Sequence, residues 1–381
     1  MRSISEENDS ELEREVQRLN KTPKKTFQLE NGQIIDCIDI DKQPSLDHPS
    51  LKNHVVQRKP LSYPKEIKKL FAKEKPLPKA SRRKSCPHGT VPIKRTTKDD
   101  LLMARKFSND FRKTQSNADA TAPPTNHVNK HHLCVVNAYT KYTQTYHGVS
   151  GYFSMYNISV TKDQASATNV WVTNNIYQEV VYMAAGSMVS PSFNNDSNHH
   201  LFVYWTTQIK GFREGCFNTY CPGFVQIDTK YHPGSFLTTG NNYGVNIYPL
   251  DEIPIMIFQE ELSGHWWVML SNQLKFVGYW PKDLVDIDGA SNVGWGAFTY
   301  PGTTGVSPPM GSGYKPDHVY NHAAYFRDMK YLKKELEPQI PADTELETYL
   351  DPCYAIDDLH YSGSQYWGYD FFFGGPGGSC N

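Results

Sequence analysis

Long apolar runs are missing from this chain. No stretch of the 381 residues approaches the roughly 20 that a membrane-spanning helix requires. The opening MRSISEENDSELEREVQRLNK is too charged to serve as a secretory leader. Cysteines are few, at 37, 86, 134, 216, 221, 353 and 380, with no C-x-x-C pair and no Cys/His array at zinc-ligand spacing, so no metal and no cofactor is expected. His131, His132 and Cys134, and the pair His199 and His200, lack a third group at motif spacing and read as surface residues. A βαβ rhythm is absent, and no block recurs at a fixed period, which sets aside doubly wound folds and propellers.

Net charge is also nearly absent, at −1, but the balance hides a split. Residues 1–113 hold 26 Lys and Arg against 16 Asp and Glu, about +10, and residues 114–381 hold 13 against 24, about −11. Opposite charge favours docking of one part on the other. No DNA or RNA motif accompanies the basic part, so nucleic acid is not the expected partner.

What is present divides at a polar, Pro- and Asn-rich linker over residues 113–132, KTQSNADATAPPTNHVNK and its neighbours. Before it, SISEENDSELEREVQRL predicts a surface helix to Leu19, and FQLENGQIIDCIDI predicts a hairpin about Asn31-Gly32. A helix should start at Thr97, with Asp100 at its N3 position and Leu101, Ala104, Phe107 and Phe111 on one face. After the linker, runs such as HLFVYWTTQ, IPIMIFQEE, HWWVMLSN and NVGWGAFTYP recur at about ten-residue spacing, rich in β-branched and aromatic residues. They predict a mainly β fold, a two-sheet antiparallel β-sandwich, preceded by a small α+β segment. Glu260 and Glu261, beside Gly264 and His265, read as a solvated strand exit, and Trp266-Trp267 and Tyr279-Trp280 as core. Sequons at Asn20, Asn157 and Asn195 and the wide cysteine spacing suit a secreted glycoprotein better than a cytosolic chain; either its leader lies outside this sequence or the protein stays inside.

Several blocks resemble a plant family, the neprosin-type proteins, in which an activation peptide precedes a glutamic peptidase domain. DCIDIDKQPSLDHPSLKNH and CPHGTVPIKRTTKDDLL resemble the activation-peptide signatures. GCFNTYCPGFVQID, GHWWVMLSNQLKFVGYWPKDL, MGSGYKP, AAYFRDMKYL and FFFGGPGGSC resemble the peptidase domain in order. The resemblance implies an activation-peptide-like segment over residues 1–112 and a peptidase-like domain over 133–381. That domain would be a glutamic-peptidase or lectin-like sandwich with a concave groove. It also implies disulfides Cys37–Cys86, Cys216–Cys221 and Cys353–Cys380, with Cys134 left over. A bridge closing a loop of tens of residues is worth about 3–4 kcal/mol.

Family members that cleave peptides use two glutamates, one activating water and one carrying a proton. The first lies in E-A-G-W-x-V-x-P, which falls here on AAGSMVSP, so its place is Ala184 and the motif tryptophan is Ser187. The second lies in W-G-G-E, here Trp295-Gly296-Ala297-Phe298, so its place is Phe298. Neither a methyl nor a phenyl group takes a proton. Glu179 lies five residues off, on the opposite strand face, and Asp286 and Asp288 read as turn residues. The expectation is a non-catalytic homologue whose groove, with Ser187, Trp295, Trp267 and Tyr279 as candidates, binds an extended peptide or a cell-wall glycan. The rival is an active acid prolyl endopeptidase with its acids elsewhere.

Overall fold

The computed structural model describes residues 4–64, 84–116, 134–140, 144–176, 179–209, 212–237, 251–270, 274–317, 319, 322–341, 344–348, 353–364 and 366–379. The segment before the linker holds helix α1 (Ile4–Leu19), strands β1 (Lys25–Gln28), β2 (Ile34–Asp39) and β3 (Thr90–Lys94), and helix α2 (Lys98–Ser116). Then follow β4 (Cys134–Thr140), β5 (Gly148–Met155), β6 (Ala165–Ile176), β7 (Glu179–Val189), the short α3 (Pro191–Asn194), β8 (His200–Ile209), β9 (Phe212–Phe217) and β10 (Val225–Gln226). The remainder comprises β11 (Asp251–Gln259), β12 (Trp266–Leu270), β13 (Lys275–Trp280), α4 (Lys282–Val285), β14 (Asn292–Tyr300), β15 (Ala324–Leu332), β16 (Pro338–Gln339), β17 (Thr344–Thr348), β18 (Ala355–Ile356), β19 (His360–Tyr361) and β20 (Tyr369–Gly374).

Two antiparallel sheets form the sandwich. Among the described residues one has seven strands, in the order β17-β4-β14-β6-β7-β8-β9, and the other ten, running β10-β13-β12-β11-β5-β15-β20-β18 with β16 and β19 off that path. Odd-numbered residues of β7 and β14, among them Val181, Met183, Ala185, Val293 and Trp295, point into the core between the sheets. The Trp295 indole donates across that core to the Ser150 carbonyl at 2.9 Å. Even-numbered residues of the same strands, such as Ala184, Met188, Phe298 and Tyr300, form a second apolar cluster on the outer face.

The N-terminal segment is folded as its sequence predicts. Asn31 and Gly32 turn β1 into β2, Gly32 taking the left-handed φ of 85° that glycine adopts freely. Thr97 and Asp100 start α2 with reciprocal bonds, Asp100 Oδ2 accepting from the Thr97 amide at 2.8 Å and Thr97 Oγ1 from the Asp100 amide at 3.2 Å. The helix runs on to Ser116, past the expected linker start at 113. Disulfides join Cys37 to Cys86 and Cys216 to Cys221; Cys353 is also bridged, and its expected partner Cys380 lies outside the described residues, as do His131 and His132.

Among the described residues, basic side chains of the segment pair with acids of the same segment, Lys21–Asp47, Arg58–Asp41, Lys94–Asp100, Arg95–Asp36 and Lys98–Glu13, while His48–Glu214 crosses to the sandwich. The crossing bonds include neutral ones, such as Gln43 Nε2 to the Gln226 carbonyl at 3.0 Å and the Gln226 amide to Gln43 Oε1 at 2.8 Å.

Candidate functional site

The two motif positions share the outer face of the seven-stranded sheet. Ala184 on β7 pairs with Trp171 of β6 and Tyr204 of β8; Phe298 on β14 pairs with Ala167 of β6. They stand two strands apart and four residues apart in register, which places their Cα atoms on the order of 16 Å from each other. Between them Asn169 lies level with Gly186 and Gly296. At Gly186 the strands run too close for a side chain, since a Cβ there would come within 2.0 Å of the Thr168 carbonyl oxygen.

Helix α2 covers this face. Leu101, Ala104, Phe107 and Phe111, the stripe read from the sequence, are buried in one cluster with Ala184 and Phe298. The Phe111 ring sits 5.0 Å from Phe298, 4.7 Å from Tyr204 and 5.8 Å from Tyr182, so it fills the space between the two motif positions. Phe107 lies 4.8 Å from Phe217, 4.9 Å from Tyr300 and 6.2 Å from Phe298. Edge-on ring pairs of this kind add about 0.5–1.5 kcal/mol beyond area burial. Ala184 is small where an aromatic ring of the N-terminal segment needs room.

Polar groups at this face are few and held in place. The Tyr300 hydroxyl donates to Asp110 of α2 at 3.2 Å, and burial with the neighbouring Asp110 carboxylate drives its pKa upward, keeping it a neutral donor. The Trp171 indole N–H, cross-strand from Ala184, is buried without a hydrogen-bond partner. A buried orphan donor costs about 1–3 kcal/mol.

The four groove candidates lie elsewhere. Ser187 and Trp295 each lie three residues, an odd number, from a motif position, so strand alternation turns both into the core between the sheets, 1% and 0% exposed. Ser187 Oγ donates to His199 Nδ1 at 2.7 Å, and His199 Nε2 donates to the Tyr156 carbonyl at 2.8 Å. Burial lowers the His199 pKa to about 4, so the imidazole stays neutral. This serine–histidine pair is sealed from solvent, so its hydroxyl is out of reach of a substrate, and it fills the interior. His199 and His200, expected at the surface, are both buried, His200 bonding the Gly234 carbonyl at 2.7 Å and Asp196 at 2.9 Å.

Trp267 and Tyr279 belong to the other sheet, where they pair across β12 and β13. Their neighbours Trp266 and Trp280 point inward with Val268 and Ile257, so Trp267 and Tyr279 point outward, under residues 54–63 of the N-terminal segment. Glu260 is with them. Read from the sequence as solvated, it is fully buried. Its signal was invisible because its partners lie about 200 positions earlier in the chain. Asp286 is a turn residue as expected, in the left-handed conformation after α4. Of the sequons, Asn157 and Asn195 are exposed, whereas Asn20 spends its side-chain amide on Thr96 through bonds of 2.8 Å in both directions. Among the described residues no cluster of His, Cys, Asp or Glu has metal-ligand geometry, and no helix is long and apolar enough to cross a membrane.

Fold and site together define an antiparallel β-sandwich with an N-terminal segment docked over the outer faces of both sheets. The neprosin family model matches residues 162–376 and the neprosin activation peptide model residues 26–137, so the chain belongs to the neprosin family and is peptidase-related. Among solved structures, Scytalido-glutamic peptidase with a peptide-based transition-state analogue is similar at TM-score 0.33 and 10% identity, over 64% of this chain and 98% of that one. SCP-B, an eqolisin-family peptidase in complex with the tripeptide Ala-Ile-His, gives 0.30 and 9% over the same shares. A β-porphyranase from the human gut bacterium Bacteroides plebeius gives 0.22 and 7%, over 45% of this chain and 65% of that one.

Proposed function

We propose that this chain is a non-catalytic neprosin homologue, secreted, whose activation-peptide helix is a fixed part of the fold and whose remaining surface binds peptide. One observation carries the reading: both motif positions, Ala184 and Phe298, are apolar and buried beneath Phe107 and Phe111. Peptide hydrolysis at such a site needs one group to take a proton from water and another to give one to the leaving amine. Ala184 and Phe298 have no titratable atom, and Tyr300, the hydroxyl on the same strand, is held neutral. Asp110 belongs to the covering helix, so it stands at this face only while that helix closes it.

The test is cleavage of a proline-containing peptide at acid pH by the purified chain and by its Ala184→Val and Phe298→Leu variants. No turnover in any of the three supports the reading. Clear prolyl cleavage that neither substitution changes would place catalytic acids elsewhere and overturn it.

A further inference from the structure

We propose that the outer face of the ten-stranded sheet is a second binding site, for extended proline-containing peptides, occupied here by residues 54–64 of the chain itself, HVVQRKPLSYP. The site is far from the motif positions, so it stands whether or not the other sheet is catalytic.

Its centre is the Glu260 carboxylate, which is fully buried. It accepts the backbone N–H groups of Leu61 and of Ser62 (2.9 Å), the Gln57 side-chain amide at 2.7 Å and the Ser263 hydroxyl. The Tyr279 hydroxyl accepts the Gln57 backbone N–H at 2.9 Å and bonds the His54 imidazole at 2.8 Å. Three of the contacts are therefore to main-chain donors, which any extended peptide presents. Beneath them lies an aromatic shelf: Trp267 packs on Tyr279 at 4.5 Å, His265 stacks on Tyr279 at 4.8 Å, and Phe276 meets Tyr63 at 5.8 Å.

The segment itself shows what the site selects. Val56 and Pro60 are buried, whereas Val55, Arg58, Lys59 and Leu61 are exposed. Specificity thus rests on an apolar residue, a following amide side chain, a proline three positions further on and free N–H groups at the next two residues. Proline suits the third place because its fixed φ keeps the chain extended before binding, which lowers the entropy lost. Without a segment in place the Glu260 carboxylate keeps Ser263 and turns to water, so an occupant must replace that hydration with its own donors, which the three N–H groups of the segment do. Tethering gives the chain's own segment an effective concentration of about millimolar, so a competing peptide must be abundant or the segment must be displaced.

The test vacates the site in the full chain with Val56→Asp and Pro60→Asp and measures binding of fluorescein-labelled HVVQRKPLSYP. Binding at least tenfold tighter than to the wild-type chain, weakened at least tenfold when Glu260→Gln is added, is the expected result. A probe carrying the same two aspartates should not bind. No binding to a folded vacated chain, or equal binding with Glu260→Gln or with the aspartate probe, overturns the proposal. Should the vacated chain fail to fold, hydrogen exchange in the wild-type chain decides. Millimolar unlabelled peptide should accelerate exchange of the Gln57, Leu61 and Ser62 amides and leave α2 unchanged, and no acceleration overturns the proposal.

Discussion

The N-terminal segment docks on the two sheets by opposite chemistries. On the seven-stranded sheet α2 is held by side-chain rings, Phe107 and Phe111 among Phe217, Phe298, Tyr204 and Tyr300. On the ten-stranded sheet residues 54–64 are held through their backbone, by Glu260 and Tyr279. Ring packing depends on shape and does not titrate, so the first contact belongs to the folded core. Backbone hydrogen bonds to a carboxylate and a phenol are indifferent to most side chains and sit beside imidazoles, so the second contact is exchangeable and sensitive to pH.

The largest expected effect comes from Phe298→Glu. A carboxylate there is buried against the rings of Phe107 and Phe111, and the cost should exceed the about 3–5 kcal/mol of truncating a core aromatic. Hydrogen exchange should show α2 released while residues 54–64 stay protected. Phe111→Ala follows, at about 3–5 kcal/mol in global unfolding, read by urea denaturation. Added to Phe298→Glu it should cost less than the sum, because the two rings touch.

Acid should separate the two contacts more gently. Burial lowers the pKa of His54, with Asp283 opposing, and lowers that of His265 to about 4, helped by His54 and opposed by Glu260 and Asp283. The docked state therefore binds fewer protons than free imidazoles near 6.5. Its stability is complete above that pH and is lost as pH falls toward 4. Amide exchange at Leu61 and Ser62 should speed up across that window while α2 stays protected; equal loosening of both would contradict the division. The smallest effect belongs to salt. Because the segment's ion pairs among the described residues are largely internal to it, several at exposed positions, raising ionic strength should move the thermal midpoint little, against what the +10 and −11 split suggests.

Much of the fold was legible because it is written locally. Alternating apolar runs gave the sandwich, Asn31-Gly32 the hairpin, and the Leu101, Ala104, Phe107, Phe111 spacing the buried face of α2. The family resemblance makes Ala184 and Phe298 the expected motif positions, and the sheet register sets these two residues on one face. What covers them was not legible, since nothing in AAGSMVSP announces that Phe111, more than 70 residues earlier, occupies the space. Two of the groove candidates turn into the core for a related reason. Ser187 and Trp295 are correct strand residues on the wrong face, and a shift of one residue reverses a side chain completely. Glu260 was missed because adjacent acids at a strand exit are usually solvated, and only the returning chain buries this one.

The central claim is that α2 and the emptied motif positions form one core, and the most direct test is a protease cut between residues 117 and 133 followed by size-exclusion chromatography at neutral and acid pH. The account predicts that the fragment bearing Phe107 and Phe111 stays with the sandwich at both. Release of that fragment from a sandwich that remains folded would show a removable cover, and would contradict it.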